Sequence, residues 1–257
     1  MHVIYEKKDH IARIMLDRSE FNPINYEVVG ELDETWRDFE EDPELWVAIL
    51  GSKQKNFSAG FDINVISRML EEGDYAWEKS SMFGKRRLGP DGHQVTKPII
   101  GVFNGIVNGA GFWLFLQSDI RLASPEASFG LGEARLNFPV EFSALLPRFL
   151  PRAIISELLY TTKNLGAERF YELGLLNRVV AREELLGEAE KLAAAICRSG
   201  PASIRIMKQL VQQGYGGETK NLMELSAEMI VPVINSADTR NAVRCFLEKK
   251  RPKWKNT

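Results

Sequence analysis

A chain of 257 residues holds one large domain or two small ones, and 44% hydrophobic with 26% charged content is ordinary for a globular protein. Lys plus Arg (33) nearly balance Asp plus Glu (35), and a formal charge of −2 gives no reason to expect binding to nucleic acid or to an anionic membrane surface. Two cysteines, Cys197 and Cys245, exclude a disulfide framework and a Cys-rich zinc site, and His2, His10 and His93 are too scattered for a metal. The charged start, Glu6 to Asp9, lacks the apolar core of a secretion signal, and no apolar run reaches membrane-spanning length. A cytoplasmic protein without a metal or resident cofactor is the expectation.

In chain order, Val3, Tyr5, Ile11, Arg13 and Met15 alternate with Ile4, Ala12, Ile14 and Leu16 around Asp9-His10, which predicts a hairpin. Asn22-Pro23 marks a loop. Val28, Val29, Leu32, Trp36 and Phe39, at helical spacing, predict a helix over 26–41. Residues 46–51 read as a strand that runs through a loop into the glycine-bearing turn Phe57-Ser58-Ala59-Gly60-Phe61-Asp62-Ile63 and then a helix over 62–72. A further helix is expected over 75–87, and the run GKRRLGPDGHQVTK at 84–97 reads as a surface loop carrying a solvated His93.

Ile99 to Phe103 is a β-branched and aromatic run that predicts a buried strand. It meets Gly105, Asn108, Gly109 and Gly111, and then the apolar run Phe112 to Leu116, which predicts a buried helix. Short strands are expected at 119–123 and 127–130. From Pro151 the pattern turns helical, over 154–161, 167–173, 182–198, 202–213, 219–236 and 239–249, with an extended piece at 177–180 and a break at Gly200-Pro201. Pro232 should kink or end its helix.

A strand that breaks at glycines into a helix start leaves backbone N–H groups without partners. Two such turns can each offer an N–H to one oxygen, which is an oxyanion hole made of backbone. The stretches FSAGFDI and VNGAGFWLFLQSDI resemble the enoyl-CoA hydratase/isomerase, or crotonase, superfamily, and the closing FLEKKRPKWK looks like that family's C-terminal end. The resemblance implies an α/β fold: a crotonase-like spiral of repeated β-β-α units over residues 1–200 that holds the acyl-CoA site. A C-terminal helical subdomain, residues 201–257, would cover CoA and assemble a homotrimer or homohexamer. It also implies N–H donors on Ala59 and Ala110, and substrate or CoA contacts from Gly60, Phe61, Asp62, Ile63, Gly109 and Trp113. The CoA belongs to the substrate, so no other cofactor is implied.

Glu133 falls where the family carries its catalytic carboxylate, after the Phe129-Gly130 pair. On chemistry alone, Phe129, Leu131, Leu136 and Phe138 around it would raise its pKa into the range useful for acid–base work. The other reading is a surface carboxylate paired with Arg135. Trp113 stands where typical hydratases of the family place a second carboxylate, and indole offers an N–H but no titratable group near neutrality. Glu141 reads either as a second acid or as a solvated loop charge. One carboxylate suits moving a double bond better than adding water, so isomerisation is the expected reaction. Hydration with an ordered water, C–C bond hydrolysis, and a non-catalytic acyl-CoA- or RNA-binding homologue are the alternatives. The basic tail from Lys249 to Lys255 reads as a solubilising segment or as help with CoA phosphates or weak RNA affinity.

Overall fold

The computed structural model describes residues 1–71, 88–140, 142–214 and 228–255. Strands β1 (Val3–Lys8) and β2 (Ile11–Leu16) form the expected antiparallel hairpin, register Val3 to Leu16 through Lys8 to Ile11. Asp9 and His10 take φ of 51° and 68°, the paired left-handed conformation of a two-residue hairpin turn. Helix α1 (Tyr26–Glu41) starts at Asn25, whose side chain accepts the Val28 N–H at 3.0 Å, an ordinary N-cap. Its C-terminal carbonyls are met by Lys97, fully buried, whose Nζ donates to the Phe39 and Asp42 carbonyl oxygens at 2.6 Å each. Burial pulls this ammonium down to a pKa of about 8.

A six-stranded sheet runs in the order β1-β2-β3-β4-β6-β9, with β3 (Val47–Ser52), β4 (Ile99–Phe103), β6 (Ile120–Ala123) and β9 (Arg178–Val179). All pairs after the hairpin are parallel. Its central strands are buried on both faces, as parallel strands covered on either side must be. Val47, Ile49, Ile100, Val102 and Leu122 point one way, onto Leu185, Ala189 and Ala193 of helix α6 (Leu185–Ile196). Ala48, Leu50, Ile99 and Phe103 point the other way, into the main core. This two-residue alternation is why near-continuous apolar runs behave as strands here.

On that second side lies a smaller sheet, β5 (Ile106–Asn108), β7 (Ser128–Gly130) and β8 (Leu165–Gly166). Two parallel bridges hold the first glycine turn: Ser58 with Val107 ties it to this layer, and Ile24 with Phe61 ties it to the loop before α1. The main core between the layers is aromatic. Phe115 lies 4.8 Å from Phe129 and 5.0 Å from Phe103, and Phe129 stacks on Phe170 at 4.5 Å.

The α/β class and the C-terminal helices are as expected, with α4 (Arg152–Thr161), α5 (Ala167–Glu172), α7 (Pro201–Gln213) and a last helix, Ala237–Leu247. One expectation is corrected. His93 is not a solvated loop residue: it closes a short 3-10 turn, Pro90–His93, and its Nε2 sits 2.9 Å from Asp33 Oδ1 on α1. The helix carrying Pro232 ends two residues beyond it: residues 228–234 are helical, and the Asn235 N–H donates to the Val231 carbonyl at 3.1 Å. The basic tail is docked: Trp254 Nε1 donates to the Arg198 carbonyl at 3.2 Å, and the Lys255 N–H reaches Asp238 at 3.0 Å. The helix expected over 75–87, residues 219–227 and Glu141 lie outside the described residues.

Candidate active site

Three separate pieces of chain converge. The first turn follows β3, and its Ser58 is bonded directly to the strand that leads into the second: Ser58 N–H donates to Ile106 O at 3.0 Å, and Asn108 N–H to Ser58 O at 2.9 Å. Gly60 (φ 103°) and Gly109 (φ 55°) sit in conformations that a side chain resists, and both stand where another backbone passes close. A methyl built on Gly60 would lie 3.5 Å from Gly109 Cα and 3.6 Å from the Ala110 nitrogen. One built on Gly109 would lie 3.5 Å from Gly60 Cα and 3.0 Å from Glu133 Oε1. Both glycines therefore border the space that Glu133 faces.

Tracing each N–H to its acceptor corrects one assignment. The Ala59 N–H donates to the Phe21 carbonyl at 2.8 Å, so it is already satisfied and is withdrawn as an oxyanion donor. Gly60 N–H donates to Ser58 Oγ at 3.1 Å and Asp62 N–H to Ile24 O at 2.8 Å. Between them, the Phe61 N–H has no acceptor among the described residues. The reason is strand geometry: a bridge to Ile24 uses the carbonyl of Gly60 and the N–H of Asp62, and the intervening N–H points to the opposite side. In the second turn Gly109 N–H donates to Gly130 O at 3.2 Å, whereas Ala110, first residue of α3 (Ala110–Leu116), has an N–H with no acceptor among the described residues. Ala110 thus keeps its expected availability.

Glu133 opens a 3-10 turn, Glu133–Leu136, just after β7. Its Oε2 is fully buried and makes no hydrogen bond. Burial pushes its carboxyl above the usual carboxylate range, with its own backbone N–H offsetting only part of the cost. Arg135 does not pair with it; that guanidinium bonds Thr162 Oγ1 at 2.7 Å. Phe129 and Leu131 are buried as expected, but Leu136 is 61% exposed and gives no shelter.

Trp113 is buried one turn into α3, its ring 4.9 Å from that of Phe142. Phe61 is half-buried against the core, and Ile63 is 52% exposed at the start of α2 (Ile63–Glu71). Asp62 is tied into the chain: its Oδ2 meets Arg18 Nη1 at 2.8 Å and its Oδ1 accepts the Asn64 N–H at 3.1 Å. Burial works against that charge, but the Arg18 and Asn64 hydrogen bonds outweigh it and hold the carboxyl below its ordinary range. Asn22, 2% exposed, was missed in the sequence. Its amide donates to Ser52 Oγ, Asn56 O and Phe57 O, and its carbonyl oxygen accepts the Arg18 N–H. Its place in the Asn-Pro loop signalled only a turn.

Two backbone N–H groups without acceptors among the described residues, and a carboxyl with a buried, unbonded oxygen beside Gly109, are groups that can hold negative charge on a carbonyl oxygen and move a proton. The model of the Enoyl-CoA hydratase/isomerase family matches residues 6–257. The carnitinyl-CoA dehydratase of Citrobacter koseri is 32% identical over 256 residues, covering 95% of each chain, and that of Proteus mirabilis is 32% identical over 257 residues with the same coverage. The crystal structure of an enoyl-CoA hydratase from Mycobacterium tuberculosis H37Rv matches with a TM-score of 0.90 at 29% identity, covering 100% of this chain and 99% of that one. An enoyl-CoA hydratase/isomerase from Mycobacterium paratuberculosis, at 24% identity and a TM-score of 0.91 over 100% of this chain and 99% of that one, shares the fold. The chain belongs to the enoyl-CoA hydratase/isomerase family, as an enzyme with the crotonase fold.

Proposed function

We propose that the protein acts on an acyl-CoA thioester through an enolate, with the Phe61 and Ala110 N–H groups holding the thioester oxygen and Glu133 moving the proton. The observation that supports this most is the buried Oε2 of Glu133, without a hydrogen bond, on a carboxyl whose Oε1 lies against Gly109, the residue before the free Ala110 N–H. Such a carboxyl takes up a proton more readily than an exposed one, which suits it to receive the α-proton of a thioester. Each backbone donor contributes on the order of 3 kcal/mol to the enolate-like transition state. Gly60 and Gly109 serve by leaving room, and Trp113 by closing the site with an apolar wall where a second acid is absent. No cofactor beyond the CoA of the substrate takes part in this scheme.

With Glu133 as the one carboxylate assigned to the site among the described residues, we favour double-bond isomerisation: Glu133 takes the proton from C2 of a 3-enoyl-CoA and returns it to C4. A second reading is favoured by the dehydratase names of the relatives at 32% identity. There, Glu133 takes the α-proton of a 3-hydroxyacyl-CoA and hands it to the leaving hydroxyl, giving water and a 2-enoyl-CoA. A panel of 3-enoyl-, 2-enoyl- and 3-hydroxyacyl-CoA esters separates them. Isomerisation outpacing water addition to the matching 2-enoyl ester supports the first reading, and rapid water exchange with no double-bond migration overturns it.

We also infer a homotrimer or homohexamer built through the C-terminal helices, with residues 1–200 and 201–257 as its two structural parts. Met207 (55% exposed) and Val211 (67%) on α7, with Ile234 (58%) and Val243 (57%) beyond it, are apolar side chains that a single chain leaves in water. Sedimentation at micromolar concentration is expected to show no 29.1 kDa monomer.

A further inference from the structure

We propose that Arg18 is a positioning residue for enolate formation: its guanidinium clamps the bridge that aims the Phe61 N–H and cancels the charge of the carboxylate beside that N–H. The proposal rests on the reading of Phe61 as an oxyanion donor. Arg18 Nη1 lies 2.8 Å from Asp62 Oδ2 and also donates to the Pro23 carbonyl at 2.7 Å. Pro23 precedes Ile24 and Asp62 follows Phe61. One nitrogen therefore staples the two short stretches together just beyond their own bonds, Ile24 N–H to Gly60 O and Asp62 N–H to Ile24 O, both 2.8 Å. The staple is itself held, because the Arg18 N–H donates to Asn22 Oδ1 at 2.9 Å and Asn22 donates to Ser52 at the end of β3, to Asn56 in the loop and to Phe57 in the first turn.

The second part of the argument is electrostatic. Asp62 is adjacent in sequence to the donor, and its side chain is 11% exposed, so water screens its charge poorly. An unpaired carboxylate there would oppose negative charge on a thioester oxygen held by the Phe61 N–H. Arg18 removes that opposition. The pair's purpose is thus distinguishable from simple bracing by the order of effects in a double-mutant cycle. If the pair only braces the fold, losing both partners is at least as harmful as losing one. If Arg18 silences Asp62, losing Arg18 alone is worse than losing both.

The test uses the full-length protein and butyryl-CoA in D2O, following α-proton exchange by mass spectrometry, with folding monitored by circular dichroism. Arg18→Met is expected to lower the maximal exchange rate roughly 10- to 30-fold, since misplacement of about 1 Å costs up to ~100-fold. The half-saturating butyryl-CoA concentration is expected to change less than about threefold, and Arg18→Met/Asp62→Asn to recover a substantial part of the rate. Arg18→Lys, which keeps a cation without the planar fork, is expected to fall between wild type and Arg18→Met, and it carries the test if Arg18→Met does not fold. An exchange rate for Arg18→Met within threefold of wild type overturns the proposal, as does a double variant no better than the single one. A change confined to half-saturation also overturns it and assigns Arg18 to CoA binding. Glu133→Gln in the same assay separates the two levels: its loss of exchange together with a fully active Arg18→Met sinks the clamp alone, whereas full exchange by Glu133→Gln sinks the site reading beneath it.

Discussion

The two glycine turns offer the same thing, one backbone N–H each, and are held in opposite ways. The first, around Gly60, is fixed by polar groups: Asn22 and Ser58 bond across it, Asn56 Oδ1 accepts the Ile106 N–H at 3.0 Å, and Arg18 pairs with Asp62. The second, around Gly109, is fixed by packing. All seven residues of α3 are buried, and Phe112 and Phe115 lie 5.9 Å and 5.7 Å from Phe170. Polar networks hold direction, because hydrogen bonds weaken steeply with angle, and packing holds position, because a dense core resists any change of volume. The difference teaches where activity and stability should come apart. Damage to the first turn should show mainly in rate, and damage behind the second mainly in stability.

The largest expected effect comes from Gly109→Ala. The new methyl meets Glu133 Oε1 at 3.0 Å and Gly60 Cα at 3.5 Å from a backbone with φ 55°, so both turns and the carboxylate shift together. Enolisation is expected to fall at least ~100-fold in a protein that still folds, as read by α-proton exchange and circular dichroism. Phe129→Ala tests the packing side. It empties the centre of the aromatic cluster, and urea unfolding is expected to show a loss of about 3–5 kcal/mol with the rate per folded molecule much less affected. Asn22→Ala tests the polar side. Leaving Phe57 O and Asn56 O without this donor should cost about 1–3 kcal/mol, with a disproportionate fall in enolisation rate. Equal effects of the last two variants on rate and stability would erase the distinction between the turns.

The smallest effect sharpens the picture of Glu133. Its carboxyl is raised by burial in the folded state, so the folded protein binds this proton more tightly than the unfolded chain does. Its contribution to stability therefore falls as pH rises from the ordinary carboxylate range through the raised value. Glu133→Gln lacks that fall. Its melting temperature is expected to exceed that of wild type at neutral pH and to converge with it in acid, and a lower melting temperature at neutral pH would show that the carboxylate is paired after all.

Much of this was legible in the chain because local pattern and tertiary context agree. Helix α1 spans Tyr26–Glu41 as its apolar spacing indicated, and β4 spans Ile99–Phe103, an all-apolar run but for Gly101. The upward push on the Glu133 carboxyl was legible through its buried neighbours Phe129 and Leu131, though not through Leu136, which is exposed. Ala59 was misassigned because N–H direction depends on which residue a bridge uses, and Ile24, the bridge partner of Phe61, lies 37 positions before it in a loop with no strand pattern of its own. The Asp62 pairing with Arg18 was not legible for the same reason, since the two lie 44 positions apart and meet through that bridged loop. His93 could not be placed from a Gly- and Pro-rich run because its setting is made by Asp33 on a helix 60 positions away in sequence.

The most direct measurement of the central claim is the pH dependence of α-proton exchange into butyryl-CoA for wild type and Glu133→Gln. The account predicts that the wild-type rate rises with pH through an apparent pKa above the ordinary carboxylate range, and that Glu133→Gln lies at least ~100-fold lower with that titration gone. Exchange by Glu133→Gln within a few-fold of wild type, with the same pH profile, would contradict it.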